Sequence, residues 1–187
     1  MPFGEYLPLV NLYPEKMRET LTKSTPRLSP SKKSEVFNLL NKDNKEISFV
    51  TPICYEVLST NYLRRLFNSS NKKVIDLIIN LSNDSWYGYS SEPEQHLLLS
   101  KWRAVELNTP LIRSTNSGIT SIILENGKEL LRTNLFKRVV VDQVIKIQEQ
   151  KELTFYQKNG CIPIIILIFV LIILNLIASV PRLKDRT

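Results

Sequence analysis

The sequence is short of the residues by which most chemistry announces itself. Of 187 residues, five are glycine, two are cysteine and one is histidine. There is no Gly-rich phosphate loop and no G-x-S-x-G nucleophile turn. Cys54 and Cys161 are too few and too differently placed for a disulfide framework, so they are read as separate thiols. His96 stands alone, without the ligand spacing of a metal site, and neither a metal nor a cofactor is expected. No internal repeat is present. Basic charge is in excess, at +7, but it is dispersed. Residues 15–46 hold eight Lys/Arg against five Asp/Glu, with no basic helix face and no interleaving of aromatic and basic residues. That distribution fits a Lys-rich surface and gives no support to a nucleic-acid partner. The opening "MPFGEYLPLV" has neither the basic start nor the long apolar stretch of an export signal.

What the chain does have is a folded composition, 43% hydrophobic and 23% charged, which disorder does not fit. Its clearest feature is "CIPIIILIFVLIILNLIASV", Cys161 to Val180, without a charge. Twenty residues at helical rise span about 30 Å, the thickness of a hydrocarbon core. A helix apolar all round could not be covered by the rest of so small a protein. Residues 161–180 are therefore expected to cross a membrane once, followed by a short basic tail, 181–187. Arg182, Lys184 and Arg186 favour a cytoplasmic C-terminus, which places the preceding domain outside. The absence of an export signal pulls the other way.

Before that segment the pattern alternates between element types. Residues 14–46 are polar, carry Pro26 and Pro30, and read as a variable insertion with short helices near Glu15–Lys23 and Ser34–Asn41. "EISFVTPI" alternates as a strand that ends near Cys54. "VLSTNYLRRLFN" has Leu58, Tyr62 and Leu66 at helical spacing. "VIDLIINL" is a nearly continuous apolar run, the signature of a strand covered on both faces. Ser91, Pro93 and Glu94 form a capping-box helix start, with Leu98, Trp102 and Val105 on one face and a stop before Pro110. "PLIRSTN" gives a strand, "GITSIILENGKELLR" a hairpin turning at Asn126-Gly127, and "VVVDQVIKIQ" a further strand. The sum is a layered α/β domain whose sheet has one face free to pack on something else.

The candidate chemistry lies in two stretches. "TPICYE" puts a cysteine at the C-terminal end of a strand and before a helix, where α/β proteins place nucleophiles and ligands. Buried filler is the commoner role for such a cysteine, but Glu56 and Pro52 give Cys54 polar, constrained company. "NLSNDSWYGYSSE" delivers Asn83, Asp84, Trp86 and Gly88 to the same sheet edge. Turn chemistry explains Asn, Asp and Gly, whereas Trp86 and Tyr87 are costly in an ordinary turn and suggest a binding surface. On a helix face, His96 is more often structural than catalytic.

Taken in order, "PFGEYLPL", "ICYE", "SNDSWYG", "EQHLLLSKWRAVEL", "PLIRSTNSGIT", "NGKEL" and "TFYQKNG" before an apolar helix resemble the bacterial apolipoprotein N-acyltransferases, membrane members of the nitrilase superfamily. The likeness covers nearly the whole chain except residues 14–46. It implies that residues 1–157 are the C-terminal portion of a nitrilase-like (carbon-nitrogen hydrolase) αββα sandwich, facing the periplasm from the bacterial inner membrane. It implies that Cys54 is the nucleophile, taking an acyl chain from a phospholipid as a thioester and passing it to the α-amine of a diacylglyceryl-cysteine lipoprotein. Glu5 matches the accessory carboxylate, the Tyr55 backbone N–H a second oxyanion donor, and Glu56 a supporting position. Trp86 is placed near the acyl-chain entry.

The same resemblance implies a catalytic lysine just ahead of the PFGE turn and a general-base glutamate further upstream, with other membrane helices before both. Lys16 and Lys23 lie on the wrong side of Glu5, so neither the base nor the lysine has a match here. The chain is accordingly expected to be inactive alone, as a truncated fragment or as one half of a split acyltransferase that pairs with a separate N-terminal polypeptide. A tail-anchored interaction protein without catalysis is the alternative of a different class. Small-substrate amidase chemistry is disfavoured by the terminal span.

Overall fold

The computed structural model describes residues 36–69, 75–148 and 152–184, together with Pro14. Glu5, the expected helix at Glu15–Lys23 and the tail beyond Lys184 lie outside the described residues. Six strands form one sheet in chain order: β1 (Phe37–Leu40), β2 (Glu46–Val50), β3 (Leu77–Ser82), β4 (Leu111–Thr115), β5 (Ser121–Ile123) and β6 (Glu129–Arg132). The central strands β2, β3 and β4 run parallel, with antiparallel β1 on one flank and antiparallel β5 and β6 on the other. Parallel neighbours need a crossover. Here α1 (Thr60–Ser69) lies between β2 and β3, and α2 (Glu92–Glu106) between β3 and β4. The antiparallel pairs use tight turns instead. Between β1 and β2, Asn41 Oδ1 accepts the N–H groups of Asp43 and Lys45, both at 2.8 Å. Between β5 and β6, Gly127 takes a φ of +82° that side chains resist.

Register explains the core. Val50 lies opposite Ile78, Ile78 opposite Leu111 and Leu111 opposite Ile123, a fully buried apolar row across four strands. Leu63, Leu66 and Phe67 of α1 and Leu97 and Ala104 of α2 close over it. One step along the same face, because side chains alternate with period 2, Asn80 lies opposite Arg113 and Arg113 opposite Ser121. All three are fully buried. An apolar row and a polar row thus lie side by side beneath the helices.

The opposite face is apolar but only partly covered. It carries Phe37, Phe49 and Leu77 in one row and Ile79, Ile112 and Ile122 in the next. Leu81 remains 50% exposed there. The run "VIDLIINL" therefore makes a strand, as its composition predicts, but one buried chiefly on the helix side rather than on both.

Three other expectations are corrected. Phe37–Leu40, expected in a helix, is β1, because pairing with β2 outweighs a weak helical pattern. Residues 139–148, expected as a strand, join no ladder among the described residues, and Val140 is wholly exposed. β-branched composition favours a pleat but cannot hold one without a partner edge. Ser91 precedes α2 but sits at φ −76°, ψ −9°, already helical, so its hydroxyl caps nothing and Glu94 pairs with Arg132 instead. Leu98, Trp102 and Val105 do share a face of α2, and it is the solvent face. The buried side holds His96, Leu97, Ser100, Arg103 and Ala104.

A genuine capping box forms later. Thr154 Oγ1 accepts the Gln157 N–H at 3.0 Å while Gln157 Oε1 accepts the Thr154 N–H at 2.6 Å, starting α3 (Phe155–Asn159). The Thr154 hydroxyl also donates to the Glu106 carbonyl at 2.6 Å, and Gln157 Nε2 to that of Leu107 at 3.3 Å. The "TFYQKNG" segment is thereby pinned to the C-terminal end of α2. Gly160, at φ +57°, then turns the chain past the Arg64 guanidinium, where a Cβ would collide. Beyond it α4 runs from Ile162 to Lys184 as one 23-residue helix. The single membrane crossing expected of residues 161–180 is not shown. Among the described residues no helix is long and apolar enough to cross a membrane.

Candidate active site

The parallel strands end together, and their C-terminal loops converge. Ile53 bridges Leu81 beyond the end of β2, which sets the TPICYE turn beside the start of the SNDSWYG loop, as the sequence predicts. Cys54 opens a 3₁₀ turn, Cys54–Leu58. Its φ is +50°, a left-handed conformation unfavourable for a residue with a Cβ. The residue is 6% exposed. Glu56 reaches back so that its Oε2 accepts the Ile53 N–H at 2.8 Å, bracing the turn from its outer side.

Asn80 of β3 braces it from within. Asn80 Nδ2 donates to the carbonyl of Pro52 at 2.9 Å and to that of Cys54 at 3.1 Å. Its Oδ1 accepts from Arg113 Nη1 at 3.0 Å. Arg113 spends its remaining donors on Asp84 Oδ2 at 2.5 Å, the Ile119 carbonyl at 3.3 Å and Ser100 Oγ at 3.5 Å, with His96 Nδ1 3.0 Å from its Nη2. Burial pushes the Asp84 carboxyl up, but hydrogen bonds from His96 and Ser82 and the Arg113 charge outweigh it, leaving the group at about 2. Burial lowers Arg113, opposed by the charge and hydrogen bond of Asp84 and by the charge of Glu92.

Tyr55 ties the same turn to α2. Its ring stacks on His96 with centroids 4.5 Å apart and meets Tyr87 edge-on at 6.0 Å. Its hydroxyl donates to Glu92. Burial, then that Glu92 contact, raises the phenol well above its ordinary range. Asp84, Glu92 and His96 bring one ligand atom each within 4.8 Å of one another. That is metal-like spacing, but the Arg113 guanidinium already lies against two of the three, so the cluster is balanced as an ion pair. A cation added there would face like charge.

Among the residues that the sequence singled out, Cys54, Tyr55 and Glu56 therefore share one turn. Trp86 stands in the neighbouring 3₁₀ turn, Ser85–Tyr87, 81% exposed. His96 is a buried member of the network. Sequence reasoning passed over Asn80, Arg113 and Gly118. Gly118 lies against Asp84 so closely that a Cβ would fall inside the carboxylate. Only the strand register, Asn80 opposite Arg113, could have flagged the first two, and a sequence does not print register.

Fold and site together define an α/β protein carrying a strained, buried cysteine at the end of a parallel strand. Residues 11–152 match the carbon-nitrogen hydrolase family, and the chain belongs to that family. It is 34% identical over 173 residues to the apolipoprotein N-acyltransferase of Bdellovibrio bacteriovorus, covering 91% of this chain and 30% of that protein. The corresponding protein of Rickettsia prowazekii is 32% identical over 180 residues, covering 96% and 34%. The apolipoprotein N-acyltransferase 2 of Treponema denticola is 29% identical over 185 residues, covering 98% and 34%. The chain thus spans about a third of the length of the curated relatives it matches. Among solved structures, an amidase from Nesterenkonia sp. is 17% identical with a TM-score of 0.42, over 57% of this chain and 40% of that one.

Proposed function

We propose that this chain supplies the nucleophile of an apolipoprotein N-acyltransferase reaction. The observation that carries the reading is Cys54 itself, buried and held left-handed at the convergence of two strand ends, in a chain whose relatives bear that name. In the first half-reaction the Cys54 sulfur attacks the ester carbonyl of a phospholipid. The ester C–O bond breaks, lysophospholipid leaves with a proton, and a thioester remains. In the second, the α-amine of a diacylglyceryl-cysteine peptide attacks the thioester, the C–S bond breaks, an amide forms and the thiol regains its proton. Glu5, the Tyr55 N–H and Glu56 act in support, and Trp86 borders the acyl-chain entry. A general-base carboxylate and a lysine for the oxyanion come from polypeptide outside these 187 residues, which is consistent with the third of the relatives' length that the chain covers. That polypeptide packs on the half-covered apolar face of the sheet. Helix α4, apolar on every side across residues 162–178, anchors the chain in the bacterial inner membrane with the α/β domain periplasmic.

The test is acyl transfer from phospholipid vesicles to a diacylglyceryl-cysteine peptide, with this chain co-expressed with a polypeptide carrying the missing base, lysine and helices. Transfer is expected only with both present, and Cys54→Ala is expected to abolish it together with the acyl-thioester seen by mass spectrometry. Transfer by the Cys54→Ala chain at the parental rate would overturn the reading.

A further inference from the structure

The peptide joining Cys54 to Tyr55 is planar and trans, so its carbonyl and its N–H point in opposite directions. Whatever holds the Cys54 carbonyl therefore also aims the Tyr55 N–H. Asn80 holds that carbonyl at 3.1 Å and the Pro52 carbonyl at 2.9 Å, with one amide nitrogen. The orientation of this amide follows from its partners. Carbonyl oxygens only accept, and a guanidinium only donates. With two carbonyls on one side and Arg113 Nη1 3.0 Å away on the other, only one placement of the Asn80 nitrogen and oxygen satisfies all three. Arg113 is fixed in turn by Asp84 and the Ile119 carbonyl. Every member from Asn80 to Asp84 is at most 1% exposed, so water offers no replacement partner and the arrangement is rigid.

We propose that Asn80, oriented by Arg113, is a positioning residue that fixes the Cys54–Tyr55 peptide plane and so aims the Tyr55 N–H as an oxyanion donor. The inference rests on Cys54 being the nucleophile. Without Asn80 the left-handed turn loses the two bonds that hold it from within, and the peptide becomes free to rotate. The donor then points at the developing oxyanion only part of the time, and transition-state stabilisation falls while ground-state binding does not.

The sequence permits a direct readout. Cys54-Tyr55 is its only Cys-Tyr pair, since Cys161 precedes Ile162. Labelling cysteine with carbonyl ¹³C and tyrosine with ¹⁵N therefore gives one amide–carbonyl NMR correlation, from this peptide alone, in the detergent-solubilised full chain. In the parent it should be a single sharp signal. Asn80→Asp, which sets an acceptor against two acceptors, should shift it, broaden it by exchange and speed its hydrogen exchange at least ten-fold. Arg113→Lys keeps the charge beside Asp84 but loses the fork, and should give a smaller change of the same kind. Leu63→Ala is the control, since it loosens the core without touching the network and should leave the signal in place. In the co-expressed enzyme Asn80→Asp should lower kcat by about a hundred-fold with KM little changed, the scale of losing one oxyanion donor. An unmoved signal in a folded Asn80→Asp or Arg113→Lys chain overturns the inference, and so does an equal shift in Leu63→Ala. Acyl transfer surviving Cys54→Ala overturns the reading beneath it instead, whatever the signal does.

Discussion

Asp84 and Arg113 are both buried to within 1% of full exclusion, a placement stable only while each neutralises the other. Because the folded carboxyl lies at about 2 against an ordinary 3.8, its contribution is present above pH 3.8 and is lost as the pH falls through about 2. The difference amounts to about 2 kcal/mol. Urea unfolding followed between pH 5 and pH 2 should show this acid loss, and Asp84→Asn should remove most of it while lowering stability at neutral pH. The same pair makes Gly118 indispensable. Gly118→Ala drives a Cβ into the Asp84 carboxylate, and breaking a buried pair costs about 3–5 kcal/mol. A thermal melt should show a large fall in Tm, and a melt within two degrees of the parent would contradict the contact. Neither effect was visible in the sequence, where "SND" read as turn chemistry and Gly118 as the opening of a hairpin segment. Turn residues are chosen locally, whereas the Gly118–Asp84 approach is set by the ends of two strands that lie far apart in the chain.

α2 shows at the level of an element what periodicity can and cannot deliver. Its existence, its extent and its end before Pro110 follow from spacing and from the proline. Which side faces inward does not. Leu98, Trp102 and Val105 form the more apolar stripe, and it is the stripe left in water. The buried stripe mixes Leu97 and Ala104 with His96, Ser100 and Arg103, because it must meet the polar row of Asn80, Arg113 and Ser121 as well as the apolar one. Truncations should follow burial rather than hydrophobicity. Leu97→Ala is expected to cost about 2–5 kcal/mol in denaturant unfolding, whereas Trp102→Ala should stay within about 1 kcal/mol, despite removing the larger side chain. The reverse order would mean that something covers the outer face of α2. The existence of β2, β3 and β4 and the Asn126-Gly127 hairpin were legible for the complementary reason, that their signals are local. Residues 139–148 misled because a strand is defined by its neighbour, and β-branched composition supplies none.

For the whole molecule the unresolved balance is apolar surface against water. One sheet face buries a continuous core, the other leaves Phe37 and Leu81 substantially exposed, and α4 exposes nearly every side chain it shows. Between residues 162 and 178, α4 carries fourteen Ile, Leu, Val or Phe residues. At roughly 0.3–0.6 kcal/mol each on an insertion scale they favour a bilayer by about 4–8 kcal/mol. Asn175, near the C-terminal end of that stretch, and Pro163, in the first turn, offset only part of this. No surface among the described residues covers this helix, and the anchoring role proposed for it predicts where the chain is found. The full chain, expressed in bacteria, should sediment with membranes and resist carbonate extraction. A chain ending at Gly160 keeps the Thr154–Gln157 box that holds α3 on α2, and should be released to the supernatant with its circular dichroism otherwise retained. Extraction of the full chain by carbonate would mean that α4 packs on protein instead of lipid, and the anchoring role would fall. Release of the shorter chain in an unfolded state would mean instead that α4 is part of the fold.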